Sequence, residues 1–261
     1  MRRHPALLLL LAGMAIGPHT SAQYYYFEHY DTYDGLPSNT IHCTFQDRFG
    51  FMWIGTRDGL SRFDGYDFRS IGGPTLDNPT NQASMALAED EDGLLWFSTS
   101  AGIGNYNPFT GETATLGRLS NILCFHIVAD KKGSVWFASD KLYRLAKESG
   151  NIQSYSFDGN IPTYVAIDSY DAIWTLLSDG SLRYYDKRQD LFKPVAFDRK
   201  LSIIQAADDG KLLAASTDGE ILLIDTINMT GTSICQFRDR EIRHILERRP
   251  GEYWIGTNNG L

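Results

Sequence analysis

Residues 46–60 read QDRFGFMWIGTRDGL, and this stretch decides the fold because its pattern returns along the chain. The pattern is Asp-x-x-Gly-x-x-Trp-x-x-Thr-x-x-Gly-Leu, followed by an aromatic residue. All five tryptophans take its central position, at separations of 43, 40, 38 and 80 residues. They are Trp53, Trp96, Trp136, Trp174 and Trp254. A period near 40 residues indicates one supersecondary unit that is repeated and stacked.

The six copies keep this pattern to different degrees. They begin at Asp47, Asp90, Asp130, Asp168, Ala207 and Arg248. In the fourth copy Asp171 replaces the glycine, and in the fifth Leu213 replaces the tryptophan. These departures weaken the repeat locally, but they leave its period intact.

Two turns frame the central position of each copy. In the Asp-x-x-Gly turn the aspartate can accept hydrogen bonds from nearby backbone amides, and glycine suits the last position of a type I turn. The Thr-x-x-Gly turn often contains Asp-Gly, as at Asp58-Gly59. That dipeptide tolerates the positive φ of a tight hairpin.

Short apolar runs beside these turns predict four strands in each unit. Inner strands precede the Asp turns, at residues 41–46, 84–89, 124–129, 162–167, 201–206 and 242–247. A more polar fourth strand follows, as at residues 66–71 and 152–157. The sequence therefore predicts an all-β protein, a β-propeller of four-stranded antiparallel blades of about 40 residues each. A β-sandwich is the alternative, but it does not require identical turns at this spacing.

The chain begins with a basic segment, an apolar run from Ala6 to Ile16 and a small residue at Ala22. This order predicts a signal peptide over residues 1–22 and a propeller domain over residues 23–261. The formal net charge is −8, and it becomes −10 without the two arginines of that segment. So acidic a chain argues against nucleic acid as a partner. No other run is long and apolar enough to predict membrane contact.

The sixth copy is only half complete at Leu261. This predicts about five and a half blades of a ring that would have seven. Residues 24–33 are rich in tyrosine and predict a closing strand that covers a free sheet edge.

Two segments resemble the two-component-regulator propeller repeat. The first runs from Asp34 to Gly65 and includes DGLPSNTI before the repeat quoted above, and the second is WIGTNNGL at residues 254–261. The resemblance covers residues 27–261. It implies the periplasmic sensor region of a hybrid two-component histidine kinase from a glycan-degrading bacterium.

The resemblance also implies parts that this sequence lacks. Such proteins typically carry two seven-bladed propellers, a β-sandwich, a membrane helix, a kinase and a response-regulator module with a DNA-binding domain. We therefore expect recognition and scaffolding from this chain, with no catalysis and no cofactor. The implied partners are an oligosaccharide and, through the full-length sensor, a second copy of the protein. The expected location is the periplasm, with a membrane tether only through parts outside this chain. The alternative function is an exported propeller enzyme, a lyase or glycosidase acting on polysaccharide.

Ligand contacts are expected on the face formed by the loops that enter the inner strands and the turns between second and third strands. Amide, guanidinium and carboxylate groups there can hydrogen-bond sugar hydroxyls or pair with acidic glycans. The candidates are Asn39, Arg57, Asp58, Asn81, Asn121, Asn258 and Asn259. Each is also compatible with an ordinary polar loop residue.

Other residues that could carry chemistry have structural explanations. The acidic run Glu89–Asp92 is expected to be a solvated turn rather than a calcium site, and the three cysteines are expected to be small buried hydrophobes. His126 and His244 share an inner-strand register and could face the central channel. They belong to blades three and six, however, so we do not expect them to be neighbours. The sequence therefore predicts no metal site.

Overall fold

The computed structural model describes residues 26–71, 83–120, 122–207, 209–238 and 240–261. The chain divides into two units, Met1–Tyr30 and Asp31–Leu261. All the described strands belong to the second unit, and residues 26–30 of the first contain none.

Six sheets follow one another along the chain. The first sheet contains β1 (Ile41–Gln46), β2 (Met52–Thr56), β3 (Gly59–Phe63) and β4 (Phe68–Ile71). The second contains β5 (Ser84–Glu89), β6 (Leu95–Thr99), β7 (Gly102–Tyr106) and β8 (Thr113–Ser120). The third contains β9 (His126–Ala129), β10 (Ser134–Ala138), β11 (Leu142–Ala146) and β12 (Asn151–Tyr155). The fourth sheet contains β13 (Pro162–Ile167), β14 (Ile173–Leu177), β15 (Leu182–Asp186) and β16 (Leu191–Pro194). The fifth contains β17 (Leu201–Ala207), β18 (Lys211–Ser216), β19 (Glu220–Asp225) and β20 (Thr230–Gln236). The sixth contains β21 (Ile242–Arg249) and β22 (Glu252–Thr257).

Each sheet is antiparallel, and its strands lie side by side in chain order. The first strands of consecutive sheets contact each other in the series β1, β5, β9, β13, β17 and β21, so they form the inner wall of a ring. The predicted all-β propeller is confirmed, with five four-stranded blades and a two-stranded sixth sheet among the described residues.

Some strands begin later than the sequence predicts, because side chains take over backbone hydrogen bonds. The fourth strand of blade one begins at Phe68, since the Asp64 carboxylate accepts from the amides of Tyr66 and Asp67 at 3.0 and 2.9 Å. The inner strand of blade three begins at His126 rather than Cys124. The hydroxyl of Ser98 donates to the Cys124 carbonyl at 2.6 Å, in place of a strand partner.

The predicted closing strand over residues 24–33 is not confirmed. Residues 26–31 form no strand, Thr32–Asp34 form a 3₁₀ helix, and Tyr24 lies outside the described residues. The Asp31 carboxylate accepts from the Tyr33 amide at 2.7 Å, and the Asp34 carboxylate accepts from the Asp31 amide at 2.8 Å. This reciprocal capping favours a helical turn over the strand that the tyrosines suggested.

Each repeat aspartate holds its own turn and also the tryptophan of the same repeat. Asp130 shows the arrangement. Its Oδ1 accepts from the amides of Lys132 and Ser134 at 2.9 and 2.8 Å, and its Oδ2 accepts from the Trp136 indole at 2.9 Å. The same indole contact recurs at 2.8, 2.7 and 3.0 Å in the pairs Trp53 with Asp47, Trp96 with Asp90 and Trp174 with Asp168. The turn function was predicted; the bond to the indole was not.

Blade five has lost both members of this pair. Ala207 stands where blades one to four place aspartate, and Leu213 stands where the other five blades place tryptophan. Leu213 is buried among Ile203, Ile221 and Ile245, where it has no polar group to satisfy. A buried indole N–H would need an acceptor, so the joint replacement leaves no unpaired donor.

The core consists of apolar layers between neighbouring blades. One cluster joins Trp53 and Leu60 of blade one to Phe97 of blade two, and a second joins Trp136 of blade three to Ile173 of blade four. Similar clusters connect blades two and three, four and five, and five and six. Each blade thus buries its apolar faces against the next, as stacked repeats do.

We predict that Gly219→Ala lowers the free energy of unfolding by about 2–3 kcal/mol, through left-handed strain and overpacking. Gly219 has φ +87°, and an added Cβ would lie 2.2 Å from the Phe237 carbonyl oxygen. The control is Gly133→Ala, which shares a positive φ of +74° but has open space around the added carbon. Urea unfolding checks both, and equal losses would contradict the proposed clash.

Candidate functional site

One end of the ring is formed by the segments that lead into the inner strands and by the turns between second and third strands. We call this end the mouth. The two kinds of segment are joined by one recurring hydrogen bond between backbone groups 17 residues apart. It runs from Arg57 N to Thr40 O at 3.0 Å, Ser178 N to Ile161 O at 2.8 Å, Thr217 N to Lys200 O at 2.9 Å and Asn258 N to Glu241 O at 3.0 Å. The backbone of the mouth is therefore fixed in the same way in blades one, four, five and six.

The predicted ligand residues of blade one lie together at the mouth. Arg57 and Asp58 are exposed, and Arg57 Nε lies 3.6 Å from Asp58 Oδ1. Asn39 is also exposed, but its Oδ1 accepts from the Thr32 amide at 2.9 Å. Since the Arg57 amide bonds to Thr40, the three residues form one polar patch, in which Asn39 also has a structural role.

Asn258 and Asn259 occupy the corresponding turn of blade six. The Asn258 Oδ1 accepts from the Glu241 amide at 3.3 Å, and the Asn259 amide donates to the Thr257 hydroxyl at 3.1 Å. The Asn259 side chain is exposed. These residues belong to a different blade from Arg57, so the structure places the candidates in two groups. Asn81 and Asn121 lie outside the described residues.

The mouth also carries exposed apolar side chains that the sequence analysis did not identify. Phe125 and Ile161 come directly before β9 and β13 and are 59% and 49% exposed. Ile41, the first residue of β1, is 43% exposed. In the sequence each of these residues is simply an apolar residue at the start of an inner strand. The sequence pattern alone does not distinguish such a residue from a buried one. Side chains of this kind could cover the apolar face of a ligand.

Just inside the mouth, His126 and His244 lie at the same level of the ring. Their partners on the second strands are Ala138 and Gly256, each two residues after a repeat tryptophan. Burial, together with the positive charge of His244, lowers the pKa of His126 to about 4. Burial also lowers the pKa of His244. The two histidines belong to the inner strands of blades three and six, and the expectation that they are not neighbours stays a prediction.

The remaining groups at this level are uncharged at neutral pH. They are Cys43, Ala86, Tyr164 and Ile203. Burial raises the pKa of the Cys43 thiol to about 12, and it also raises the pKa of Tyr164. The three cysteines are free. Among the residues that the structure describes, no group of three or more histidine, cysteine or carboxylate side chains is placed to hold a metal ion.

The acidic run Glu89–Asp92 is not simply solvated. Arg48 of the preceding blade bonds to Glu89 through its Nε at 2.7 Å, and Lys147 of the following blade bonds to Asp90 and Asp92 at 2.6 Å each. The run therefore joins three consecutive blades at the end of the ring opposite the mouth.

A groove of about 840 Å³ lies on the side of the ring, along β11 and β12. Its lining includes Leu119, Tyr143, Arg144, Ile152 and Gln153. None of the described candidate residues belongs to it, so the groove and the mouth are separate features.

The sheets and their ring define a β-propeller. A profile of the two component regulator propeller family matches residues 35–58 and 78–101. These two segments therefore match the two-component-regulator propeller repeat that the sequence pattern resembles.

One curated protein and two solved structures are similar to this chain. A histidine kinase of Formosa agariphila is 30% identical over 79 residues, which is 30% of this chain and 6% of the kinase. An extracellular domain of a hybrid two component system from B. thetaiotaomicron has a similar fold, with a TM-score of 0.72 and 16% identity over 86% of this chain and 31% of that one. A virginiamycin B lyase of Staphylococcus aureus is also similar, with a TM-score of 0.61 and 18% identity over 75% of this chain and 69% of the lyase. The chain thus spans about a third of the extracellular domain and a small part of the kinase. The described residues include no helix long and apolar enough to cross a membrane.

Proposed function

We propose that this chain is the periplasmic sensing and scaffold propeller of a two-component sensor, which recognises an oligosaccharide at its mouth and signals to a kinase outside this chain. The observation that carries the proposal is the composition of the mouth. Exposed Phe125 and Ile161 stand on the same end of the ring as Arg57, Asp58 and the blade-six asparagines. Sugars present apolar ring faces and hydroxyl edges, and this combination suits both.

Export and assembly belong to the same proposal. The basic and apolar start of the chain supports export, and the extracellular relatives support a periplasmic location. A ligand would act by binding one arrangement of the full-length sensor more tightly than another, with a homodimer as the responding assembly.

The second candidate is an exported propeller enzyme acting on polysaccharide. Two observations favour it: the similar fold of a lyase, and two inner-strand histidines at the same level just inside the mouth. Histidine is the commonest general acid or base. The other described inner-strand residues at this level include no carboxylate, and burial keeps the Cys43 thiol protonated, so this level of the ring supports binding better than it supports catalysis.

A thermal-shift screen of the chain against plant, host and microbial oligosaccharides tests the proposal. A ligand at about 100 times its Kd stabilises the native state by about 2.7 kcal/mol, which corresponds to roughly 5–10 °C for a domain of this size. We expect such a shift with one glycan, which is recovered unchanged. Recovery of a cleaved glycan would instead establish the enzyme, and no shift with any glycan would contradict recognition by this chain.

Phe125→Ala is expected to weaken binding of that glycan about tenfold, because it removes the largest exposed apolar side chain among the described residues of the mouth. The matched control is Tyr66→Ala, since Tyr66 is 91% exposed in a turn at the opposite end of the ring. Isothermal titration calorimetry measures both affinities. Equal affinities for the two variants would exclude the mouth as the glycan site.

A further inference from the structure

We propose that Arg62 and Arg69 form a binding site for an oxyanion (a sulfate, phosphate or carboxylate group) on the side of the ring. The two arginines lie in β3 and β4, the outer strands of blade one, and they face blade two. The site goes beyond the proposed sensor function, because neither arginine belongs to the mouth on which that function rests.

The first argument is the register of the two strands. Arg62 is directly opposite Arg69 in the antiparallel pair of β3 and β4. Side chains in this arrangement leave the same face of the sheet, with their Cβ atoms about 4.5–5.5 Å apart. Like charges placed directly opposite each other destabilise a sheet. An anion bonded to both guanidinium groups would offset this repulsion.

The second argument is that the pair is accessible at the edge of an interface between blades. Arg62 is also directly opposite Trp53, and its guanidinium carbon lies 6.0 Å from the centroid of that ring. Trp53 packs against Tyr106 of blade two, with ring centroids 5.7 Å apart. Arg62 is therefore part-buried beside blade two, whereas Arg69, one strand further out, is exposed.

The third argument is that aromatic rings hold the Arg62 guanidinium and leave its donors unused. Its Cζ atom lies 4.4 Å from the Phe51 ring centroid, a cation–π contact that covers a face of the planar group and leaves its N–H edge available. Its Nε atom is buried and has no hydrogen-bond partner. Among the described residues, neither the Arg62 nor the Arg69 side chain forms a hydrogen bond or an ion pair. An oxyanion would accept from donors that the protein itself leaves unsatisfied.

Blade three shows how the same position is satisfied from within the protein. Arg144 is opposite the repeat tryptophan of its blade, as Arg62 is. Its Nε donates to the Ser134 hydroxyl at 3.1 Å, and its Nη1 lies 3.5 Å from the Tyr185 hydroxyl of the next blade. In blade one Phe51 stands at the repeat position of Ser134. Blade one has thus kept the cation and lost its internal acceptor.

The second cation is also particular to blade one among the four-stranded blades that the structure describes. The counterparts of the pair on the third and fourth strands are Asn105 with Ala114, Arg144 with Gln153, Tyr184 with Lys193 and Leu223 with Thr232. Two arginines at this position are therefore not a requirement of the repeat. Because the fold does not need them, a ligand is the better explanation for a repulsive pair.

The neighbouring acid does not neutralise the pair. The charge of Asp64 reaches Arg62, but the Asp64 carboxylate accepts from the amides of Tyr66 and Asp67 at 3.0 and 2.9 Å. It forms no ion pair with Arg62 in the described part of the chain. The site therefore keeps an excess of positive charge. Guanidinium groups match the planar or tetrahedral arrangement of oxygens in carboxylate, sulfate and phosphate, and this defines the class of ligand.

The test is an NMR titration of the arginine Nε–Hε signals of the whole chain at mildly acidic pH. The probes are sodium sulfate, sodium phosphate and trigalacturonate, at an ionic strength held constant with sodium chloride, and neutral galactotriose is the negative probe. We expect saturable shifts of the Arg62 and Arg69 signals with at least one anion and none with galactotriose. A response to the inorganic anions alone would identify a free anion as the source of the group. A tighter response to trigalacturonate would identify the charged group of a sugar.

Arg69→Gln should weaken binding of the effective anion about tenfold, since it removes a charged hydrogen-bond donor from the ligand. Arg69 is exposed, so folding is expected to survive. The matched control is Arg188→Gln, which removes the same charge from an exposed turn of blade four and should keep the wild-type affinity. Isothermal titration calorimetry measures the affinities of both variants.

Equal weakening in the two variants would show that net charge attracts the anion, and it would overturn the site. The same holds if none of the three anions shifts the Arg62 and Arg69 signals in a saturable way. Neither result bears on the mouth, where binding of a glycan is tested separately by the thermal-shift screen and by Phe125→Ala. The two proposals can therefore fail independently.

Discussion

Replacing Asp90 with alanine is expected to lower the free energy of unfolding by about 3–5 kcal/mol, the usual cost of breaking a buried ion pair from one side. The Asp90 carboxylate accepts from the Lys147 ammonium at 2.6 Å and from the Trp96 indole at 2.7 Å. It also accepts from the amides of Asp92 and Leu94 at 2.9 and 3.1 Å. Alanine leaves all of these donors without that acceptor, and the Lys147 side chain is only 17% exposed.

Asp92→Ala is the matched control. Asp92 also bonds to Lys147 at 2.6 Å, but its side chain is 75% exposed. Exposed ion pairs contribute about 1 kcal/mol or less, so this variant should lose no more than that. Urea unfolding followed by tryptophan fluorescence measures both losses. Similar losses of unfolding free energy in the two variants would mean that the ion pair with Lys147, which both variants remove, accounts for the stability, and the buried turn at Asp90 does not.

The contribution of Asp90 should also disappear in acid. Burial raises the pKa of Asp90, but hydrogen bonds from Lys147, the Trp96 indole and the Leu94 amide outweigh burial and hold it below the ordinary value. The carboxylate therefore stabilises the fold above the unfolded pKa of about 3.9, and this stability is lost as the pH falls through the lower folded pKa. The difference between wild type and Asp90→Ala should be constant from pH 8 to 5 and shrink below about pH 4. A constant difference down to pH 2 would contradict this assignment.

Trp136→Ala is expected to cost about 3–5 kcal/mol, as large-to-small changes of buried aromatic residues do. The Trp136 side chain is 1% exposed, and its ring lies 5.1 and 5.9 Å from the rings of Tyr185 and Tyr155. The Arg144 guanidinium lies 5.4 Å from its centroid. Alanine would open a cavity between blades three and four and leave Asp130 without its indole donor.

The control for Trp136 is Trp254→Ala, the same repeat position in the two-stranded sixth sheet. Trp254 is only partly buried there. A smaller cavity and a partly exposed site should reduce the loss to about half. Thermal and urea unfolding of the two variants give the comparison. A larger loss for Trp254 would show that the last sheet, rather than the centre of the ring, limits stability.

The spacing of Trp53 and its counterparts was enough to predict the propeller, because a repeated turn and a repeated buried indole leave few other folds. The Asp–Trp bond was missed because it depends on the direction of a side chain six residues after the aspartate, which a spacing does not specify. The 3₁₀ helix at Thr32 was missed for a local reason. The capping by Asp31 and Asp34 outweighed the tyrosines on which the strand prediction rested.

The site was harder to predict than the fold. Arg57 and Asn259 lie in turns between second and third strands, as the repeat predicts, and their role in binding stays a prediction. Phe125 was missed because exposure at a strand start depends on the loops around it.

The recurring bond between Arg57 N and Thr40 O, and its counterparts in three other blades, uses main-chain atoms alone. Arginine, serine, threonine and asparagine therefore hold the donor position equally well in this one chain. The main-chain atoms of these residues thus fix the turn, and their side chains are free to vary. When such repeats are duplicated, the side chains at the mouth can be replaced without any loss of the backbone bond that fixes the turn. A single scaffold can therefore come to bind chemically different ligands.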